Sequence, residues 1–263
     1  MFPLGHLAMG YLFAWAVAKG MKRRVVVWAA LTAGILPDYD ILFSWAGLAH
    51  HTYTHSLVVM GPILLVVVLW KRGALPYAVA VLQHILIGDT LVGRVPLLLP
   101  LSRHQFGLNL GMPSVPDISL ELGFAFLALL VMWLSGDLRR VFAGGKETVL
   151  MAVPIVSVAL MALLWRVTAM LEEGGSGFSR LRLFGIPVVQ AIYVGVGVLV
   201  AMAAFFVLLG LFRHPHEDSA ERRSQSPPGS DAGSQRWGRS ALAMPRRTDE
   251  ETSTGRSALP KLK

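Results

Sequence analysis

Long apolar stretches constrain this chain more than any other feature. Four stretches reach or approach the roughly 20 residues that a helix needs to cross a bilayer core: 25–43, 119–134, 149–171 and 186–212. Three further stretches are shorter or contain polar residues: 4–18, 57–70 and 75–92. The chain is 54% hydrophobic and only 15% charged, far from the usage of soluble domains. We therefore predict an all-α, polytopic membrane bundle of about seven helices, with six as the alternative count.

Basic residues are unevenly divided between the loops of this predicted bundle. Four lie in one set of alternate loops: Arg94, Arg103, Arg180 and Arg182. Nine lie in the other set: Lys19, Lys22, Arg23, Arg24, Lys71, Arg72, Arg139, Arg140 and Lys146. The positive-inside rule places the second set in the cytoplasm. We expect a multi-pass protein of the cytoplasmic membrane with its N-terminus outside and its C-terminus inside.

The chain divides by composition into three parts. Residues 1–105 hold four predicted helices and most of the polar residues, and residues 106–212 hold three further helices and outer loops. Residues 213–263 combine ten Lys/Arg and seven Asp/Glu with many Ser, Gly and Pro, which predicts a disordered tail. We expect this tail to lie near anionic membrane lipids. It has no basic motif interleaved with aromatic residues, so we expect no nucleic-acid binding.

Ionisable side chains from the first four segments end near the outer face in this topology. They are His6, Asp38, Asp40, His50, His51, His55, His84 and Asp89. Such groups are costly inside a membrane unless they pair, bind an ion or line a wet cavity. Any one of them alone is equally well explained as a solvated residue at a loop end. Segments 5 to 7 contribute no histidine or aspartate, so we expect the site to be confined to the first 105 residues or so.

The spacing of these residues suggests how they meet. Pro37 in LPDYD predicts that a helix stops or kinks, which allows Asp38 and Asp40 to share one side of the chain. His51 and His55 are four apart, which stacks them on one face if the segment is helical. His84 and Asp89 are five apart, so both line one cavity only if the helix distorts, and Gly88 offers a place for that distortion.

Imidazoles and carboxylates without thiolates suit a divalent metal. The chain has no cysteine, and mixed nitrogen and oxygen ligands favour zinc or manganese. We predict the metal ligands His6, Asp38, Asp40, His51, His55, His84 and Asp89. Asp38, Asp40 and Asp89 are also the candidate catalytic residues, since an aspartate that stays off the metal can act as a general base or orient a histidine.

Four stretches resemble the YdjM family of membrane-bound predicted metal-dependent hydrolases. They are GHLAMG, LPDYD, HHTYTHSL and QHILIGDTLVGRVPLLLP, all within the first 105 residues. The family pattern falls on His6, on Asp38 and Asp40, on His51, His55 and Ser56, on His84 and Asp89, and on Pro96 to Pro100. The step from His84 to Asp89 is one residue longer than the commoner family form. The resemblance implies a phosphoesterase-like or lipid-directed hydrolase.

Two other function classes stay open at this point. A divalent cation transporter would use the same residues as a transit site, but the inner halves of the first four segments contain few polar residues. A noncatalytic membrane scaffold would hold a structural metal.

Overall fold

Helices make up most of the residues that the structure describes. The structure, a computed structural model, describes residues 3–46, 50–110, 114–172, 182–183 and 186–213, without the side chains of 44–46, 165–172, 182–183 and 186–191. The predicted tail, residues 213–263, lies outside the described residues except for Arg213. Two strands of two residues each, β1 (Arg182–Leu183) and β2 (Ile186–Pro187), pair antiparallel. Apart from this pair and an isolated antiparallel bridge between Val95 and Phe106, the predicted all-α class is confirmed for the described residues.

Apart from the long connection 93–114, most of the helices follow one another with short connections. In chain order they are α1 (Pro3–Gly20), α2 (Val27–Gly34), a 3-10 segment (Leu36–Ala46), a 3-10 turn (Tyr53–His55), α3 (Leu57–Trp70), a 3-10 turn (Arg72–Ala74), α4 (Leu75–Gln83), a π turn (His84–Gly88), α5 (Asp89–Val92), α6 (Val115–Leu134), α7 (Asp137–Val141), α8 (Lys146–Leu150), α9 (Ala152–Glu172) and α10 (Val188–Phe212).

Four helical stretches are long and apolar enough to cross a membrane, by length and composition. They are Arg72–Val92, Val115–Leu134, Lys146–Leu164 and Ile192–Phe212. Helix α3 is equally apolar but has only 14 residues. The prediction of about seven spans is therefore not confirmed for the described residues, although each predicted segment contains helix.

The second predicted segment, 25–43, is not one continuous helix. Helix α2 has eight residues and ends at Gly34, and the chain continues as a 3-10 segment through Pro37. Eight residues rise only about 12 Å, less than half of a bilayer core of roughly 30 Å. The predicted interruption at Pro37 is confirmed, and it follows from the missing N–H of proline.

Helix α1 lies at the centre of the bundle, against α2, α4 and α6. It meets α2 through two glycines: a Cβ at Gly10 would lie 2.5 Å from the Cα of Gly34, and a Cβ at Gly34 would collide with the carbonyl of His6. Small residues at helix crossings allow backbones to approach this closely. The crossing brings the end of α2 beside the first turns of α1.

Helix α9 covers the 3-10 segment that follows α2. The Tyr39 hydroxyl hydrogen-bonds the Ser157 hydroxyl at 2.6 Å, and α9 in turn packs along α10. The C-terminal helices therefore support the segment that carries Asp38 and Asp40.

The Gly10–Gly34 crossing predicts that Gly10→Ala destabilises the protein. The added methyl group must push two backbones apart, which costs about 1–3 kcal/mol. Gly20→Ala on the same helix is the matched control, because a Cβ at Gly20 meets no atom within 4 Å. Thermal unfolding of the detergent-purified variants measures the difference, with Gly10→Ala melting below the control. Equal melting temperatures would contradict a tight crossing.

Candidate metal centre

The predicted ligand residues converge at one place in the bundle. They come from the first turns of α1, the 3-10 segment, the turn before α3, the π turn and the start of α5, and they include His6, Asp38, Asp40, His51, His55, His84 and Asp89. Three of them, His6, His55 and His84, are almost completely buried, with at most 1% of each residue exposed. Five separate elements thus supply polar groups to one interior site.

Four atoms form the centre of this cluster. The Nε2 atom of His55 lies 3.2 Å from Asp38 Oδ1 and 3.3 Å from Asp89 Oδ2. The Nε2 atom of His84 lies 3.2 Å from Asp38 Oδ1, 3.4 Å from Asp89 Oδ2 and 3.3 Å from His55 Nε2. Ligand atoms about 2.0–2.1 Å from a tetrahedral zinc lie about 3.3 Å from one another. These five separations match five of the six edges of such a tetrahedron; the sixth edge joins Asp38 to Asp89.

Hydrogen bonds to the far side of each ring determine which nitrogen faces this centre. The Nδ1 atom of His84 donates to the carbonyl oxygen of Gly34 at 2.6 Å. The Thr54 hydroxyl donates to Asp40 at 2.6 Å, so it accepts from Nδ1 of His55 at 3.0 Å. In its neutral form each ring therefore carries its proton on Nδ1 and presents a Nε2 lone pair to the centre, as metal-binding histidines commonly do.

Asp89 provides a second indication that a cation belongs here. Its Oδ2 atom is buried and has no hydrogen-bond partner among the described residues, although two imidazole nitrogens lie within 3.4 Å. A buried carboxylate oxygen without a partner is costly. Carboxylate and lone-pair nitrogen atoms all attract a cation, so the residues present fit a divalent metal.

The π turn explains how His84 and Asp89 reach the same site. The N–H of Asp89 donates to the carbonyl of His84, five residues back. A π turn accommodates one more residue than an α-helical turn, and such turns are frequent at functional sites. The predicted distortion near Gly88 is therefore confirmed, and it absorbs the extra residue between His84 and Asp89.

His6 approaches from α1 across Gly88. Its ring stacks on that of His84 with centroids 3.7 Å apart, and its Nε2 lies 3.4 Å from Asp89 Oδ1. A Cβ at residue 88 would lie 2.5 Å from the His6 ring. The absence of a Cβ at Gly88 therefore leaves room for the His6 ring beside Asp89.

Two groups of side chains each bring possible ligand atoms within 4.8 Å of one another: the buried His6, His84 and Asp89, and a second group of Asp38, His50, His51 and His55. The second group lies toward the exposed side of the site, through His50. His50 Nδ1 donates to Asp40 Oδ1 at 2.7 Å, and its Nε2 lies 3.9 Å from Asp38. The His50 side chain is 36% exposed. His50 therefore stands between the buried ligands and solvent, and the predicted ligand set had not included it.

His51 and His55 do not lie on one face of an α-helix, so that prediction of their local structure is wrong. His51 has the left-handed φ of 59°, and only Tyr53–His55 forms a 3-10 turn. The two rings nevertheless meet edge to face, with centroids 4.7 Å apart. Burial, with a smaller effect from His50, lowers the pKa of His51 to about 4, so this imidazole is neutral at pH 7.

Asp38 and Asp40 take different positions around His55. Asp38 lies at Nε2, whereas Asp40 lies 3.4 Å from Nδ1 and also binds Thr54 and His50. They therefore do not share one side toward the centre, because the chain at Pro37 forms a 3-10 helix rather than an extended segment. This geometry favours the alternative in which one aspartate orients histidines.

Two carboxylates of α6 show that the buried ionisable set extends beyond the first 105 residues. The helix begins at Val115 rather than near Ser119, which places Asp117 and Glu121 on its buried face. Glu121 accepts a hydrogen bond of 3.2 Å from the N–H of Gly5, next to His6. Their four-residue spacing on an apolar helix was the signal in the sequence.

The PLLLP segment anchors the turn that carries His55. Ser56 donates from its hydroxyl to the carbonyls of Leu97 and Leu99, and the N–H of Leu57 donates to Leu97 at 2.8 Å. Arg94 and Arg103 on the same outer connection are exposed. Among the described residues, neither arginine pairs with a carboxylate of the site.

Comparison with known proteins identifies a family. The model of the family described as YdjM inner membrane protein matches residues 1–143, which is more than half of the 263-residue chain. The match includes every residue of the candidate centre, and Asp117 and Glu121 as well. No curated protein and no solved structure matches the chain.

We predict that Asp40 affects metal affinity indirectly, because it orients His50 and His55. Replacement of such a hydrogen-bonding partner typically lowers metal affinity 10- to 100-fold. We expect Asp40→Asn to weaken zinc binding about that much, and His84→Ala to weaken it more, in titrations against a chelator of known affinity. His104→Ala is the control, because His104 is exposed and lies outside the centre. Zinc affinity of Asp40→Asn equal to that of the control would refute the orienting role.

Proposed function

The chain belongs to the YdjM inner membrane protein family, and we propose that it is a metal-dependent hydrolase of the membrane. In this proposal His55, His84, Asp38 and Asp89 hold a divalent metal ion, with zinc or manganese preferred. The convergence of four acceptor atoms at 3.2–3.4 Å carries the proposal. The sequence resemblance to predicted metal-dependent hydrolases supports the reaction class.

A divalent metal would supply Lewis-acid chemistry at this site, because it polarises a phosphoryl or carbonyl oxygen and acidifies water. The buried ligands determine where that metal can sit. Asp38 is the ligand nearest the open side, with 11% of its side chain exposed, compared with 0% for His55 and His84. Substrate and water therefore reach the centre past Asp38 and His50.

His50 is the proposed proton-transfer residue. Its Nδ1–H donates to Asp40, which fixes the ring and directs Nε2 toward Asp38, 3.9 Å away. An imidazole that a carboxylate orients in this way can take a proton from water and return it to a leaving group. Asp40 is then a positioning residue for both His50 and His55.

The location of the centre supports a phosphoester or lipid-linked substrate. The ligands lie on elements that adjoin the long apolar helices, near one end of α1. A substrate with an apolar anchor would reach this depth from the bilayer, and its polar group would meet the exposed side at His50. By the positive-inside rule we place this end at the outer face.

One observation favours a second candidate, a structural metal without catalysis. Four protein atoms at tetrahedral spacing resemble closed zinc sites, whereas catalytic sites keep an open position. The exposed His50 beside the centre favours catalysis over this candidate, and the two are separable by experiment.

His50→Gln separates a hydrolase from a structural metal site. We expect the variant to keep its metal, because His50 is not one of the four central ligands, and to lose hydrolysis by about 10²- to 10⁴-fold. The purified full-length protein would be tested on p-nitrophenyl phosphate and its diester with zinc or manganese present. His104→Ala, which removes an exposed histidine, is the control.

Retained metal without hydrolysis of either ester or of lipid phosphoesters by the wild-type protein would favour the structural metal. Metal uptake into liposomes that contain the protein would instead favour a transporter. Hydrolysis by His50→Gln at the wild-type rate would contradict the proton-transfer role.

A further inference from the structure

A cavity of about 360 Å³ lies at the other end of α1 from the metal centre. His6 and Lys19 are 13 residues apart on this helix, a rise of about 20 Å, so the two sites are separate. The charged residues that line the cavity are Lys19, Lys22, Arg23, Arg24, Arg140 and Asp137. Five cations thus face one carboxylate.

The single carboxylate is already engaged. Asp137 is buried, accepts a hydrogen bond of 2.8 Å from the Tyr11 hydroxyl and pairs with Arg140. Within the part of the chain that the structure describes, none of the other four cations lies within 4 Å of a carboxylate. The cavity therefore has a large excess of positive charge, which an anion would neutralise.

The backbone holds these cations together. Lys22 has the left-handed φ of 55°, and the N–H of Arg23 donates to the carbonyl of Ala18 at 2.8 Å. This bond turns the chain back immediately after α1. The ammonium group of Lys19 also lies 4.6 Å from the ring centroid of Trp15. The turn and the cation–π contact restrict where the basic side chains can point.

A second, more apolar cavity of about 330 Å³ adjoins the first. Trp15, Lys19 and Ser135 line both cavities, and Val131 and Leu134 of α6 complete the second. Leu134 is 70% exposed, on a helix that is apolar enough to span a membrane. A cationic pocket therefore passes directly into an apolar groove between α1 and α6.

We propose that these two cavities bind an anionic glycerophospholipid. Its phosphate headgroup would lie among Lys19, Arg23 and Arg24, and the first part of an acyl chain would follow Trp15, Val131 and Leu134. Basic pockets between membrane helices on the cytoplasmic side bind anionic headgroups, and the positive-inside rule predicts that this end is cytoplasmic. The site is independent of the metal centre and of hydrolysis.

The test uses the full-length protein, delipidated in a neutral detergent and titrated with lipid. Binding of palmitoyl-oleoyl phosphatidylglycerol is compared with that of phosphatidylcholine carrying the same chains, by native mass spectrometry. We expect phosphatidylglycerol to bind on the order of tenfold more tightly or better. The triple variant Lys19→Gln, Arg23→Gln, Arg24→Gln should lose this preference.

A matched triple variant removes equal charge from positions outside the cavity: Lys71→Gln, Arg139→Gln and Lys146→Gln. It should keep the preference within about twofold. Elution as a monodisperse species and unchanged metal content would show that the cavity variant is folded. Equal binding of the two lipids by the wild type, or equal loss in both triple variants, would overturn the proposal.

Inorganic phosphate and glycerol 3-phosphate serve as soluble probes of the same cavity. We expect neither to compete with phosphatidylglycerol at equal concentration, because they lack the acyl chain that occupies the groove. Competition at equal concentration would identify a site for a soluble phosphate compound and would refute the lipid proposal.

Discussion

The structure of this protein depends on one electrostatic requirement: two carboxylates and two imidazole lone pairs share a buried site. Asp38, Asp89, His55 and His84 contribute four acceptor atoms, and each imidazole Nε2 lies 3.2–3.4 Å from both carboxylates and from the other Nε2. Like partial charges at this separation repel in a medium of low dielectric constant. A cation at the centre would reverse the sign of each interaction, and its binding would then contribute to folding stability.

Glycine and an irregular helical turn make this convergence possible. Gly10 and Gly34 bring α1 and α2 into backbone contact, and the Gly34 carbonyl accepts the Nδ1 proton of His84. Gly88 leaves space for His6, and the π turn aligns His84 with Asp89. The packing contacts of the bundle are therefore also the contacts that orient the ligands. At its opposite end, α1 carries the basic cavity, so one central helix serves two chemically different regions.

The sequence predicts much of this arrangement, because ionisable groups in an apolar segment must pair, bind an ion or line a wet cavity. The interruption at Pro37, the distortion near Gly88 and the membrane class follow from single-residue properties and hydropathy. The π turn itself does not, because it depends on tertiary contacts of His84 and Asp89. The contact of His50 with Asp40 lies next to the left-handed φ of His51, which no periodicity indicates. Asp117 was missed because its helix begins earlier than its apolar residues suggest. Glu121 lies within the predicted segment 119–134, but the candidate set was restricted to histidine and aspartate. The count of seven spans is not confirmed among the described residues, since α2 and α3 are short.

X-ray absorption spectroscopy of the zinc-loaded protein tests the central claim most directly. The account predicts four nitrogen and oxygen ligands at about 2.0–2.1 Å from the metal, with the outer-shell scattering of two imidazole rings, and loss of one ring's contribution in His84→Ala. A protein that retains no zinc after purification and dialysis, or a zinc ion surrounded by six water-like oxygens without imidazole scattering, would contradict it.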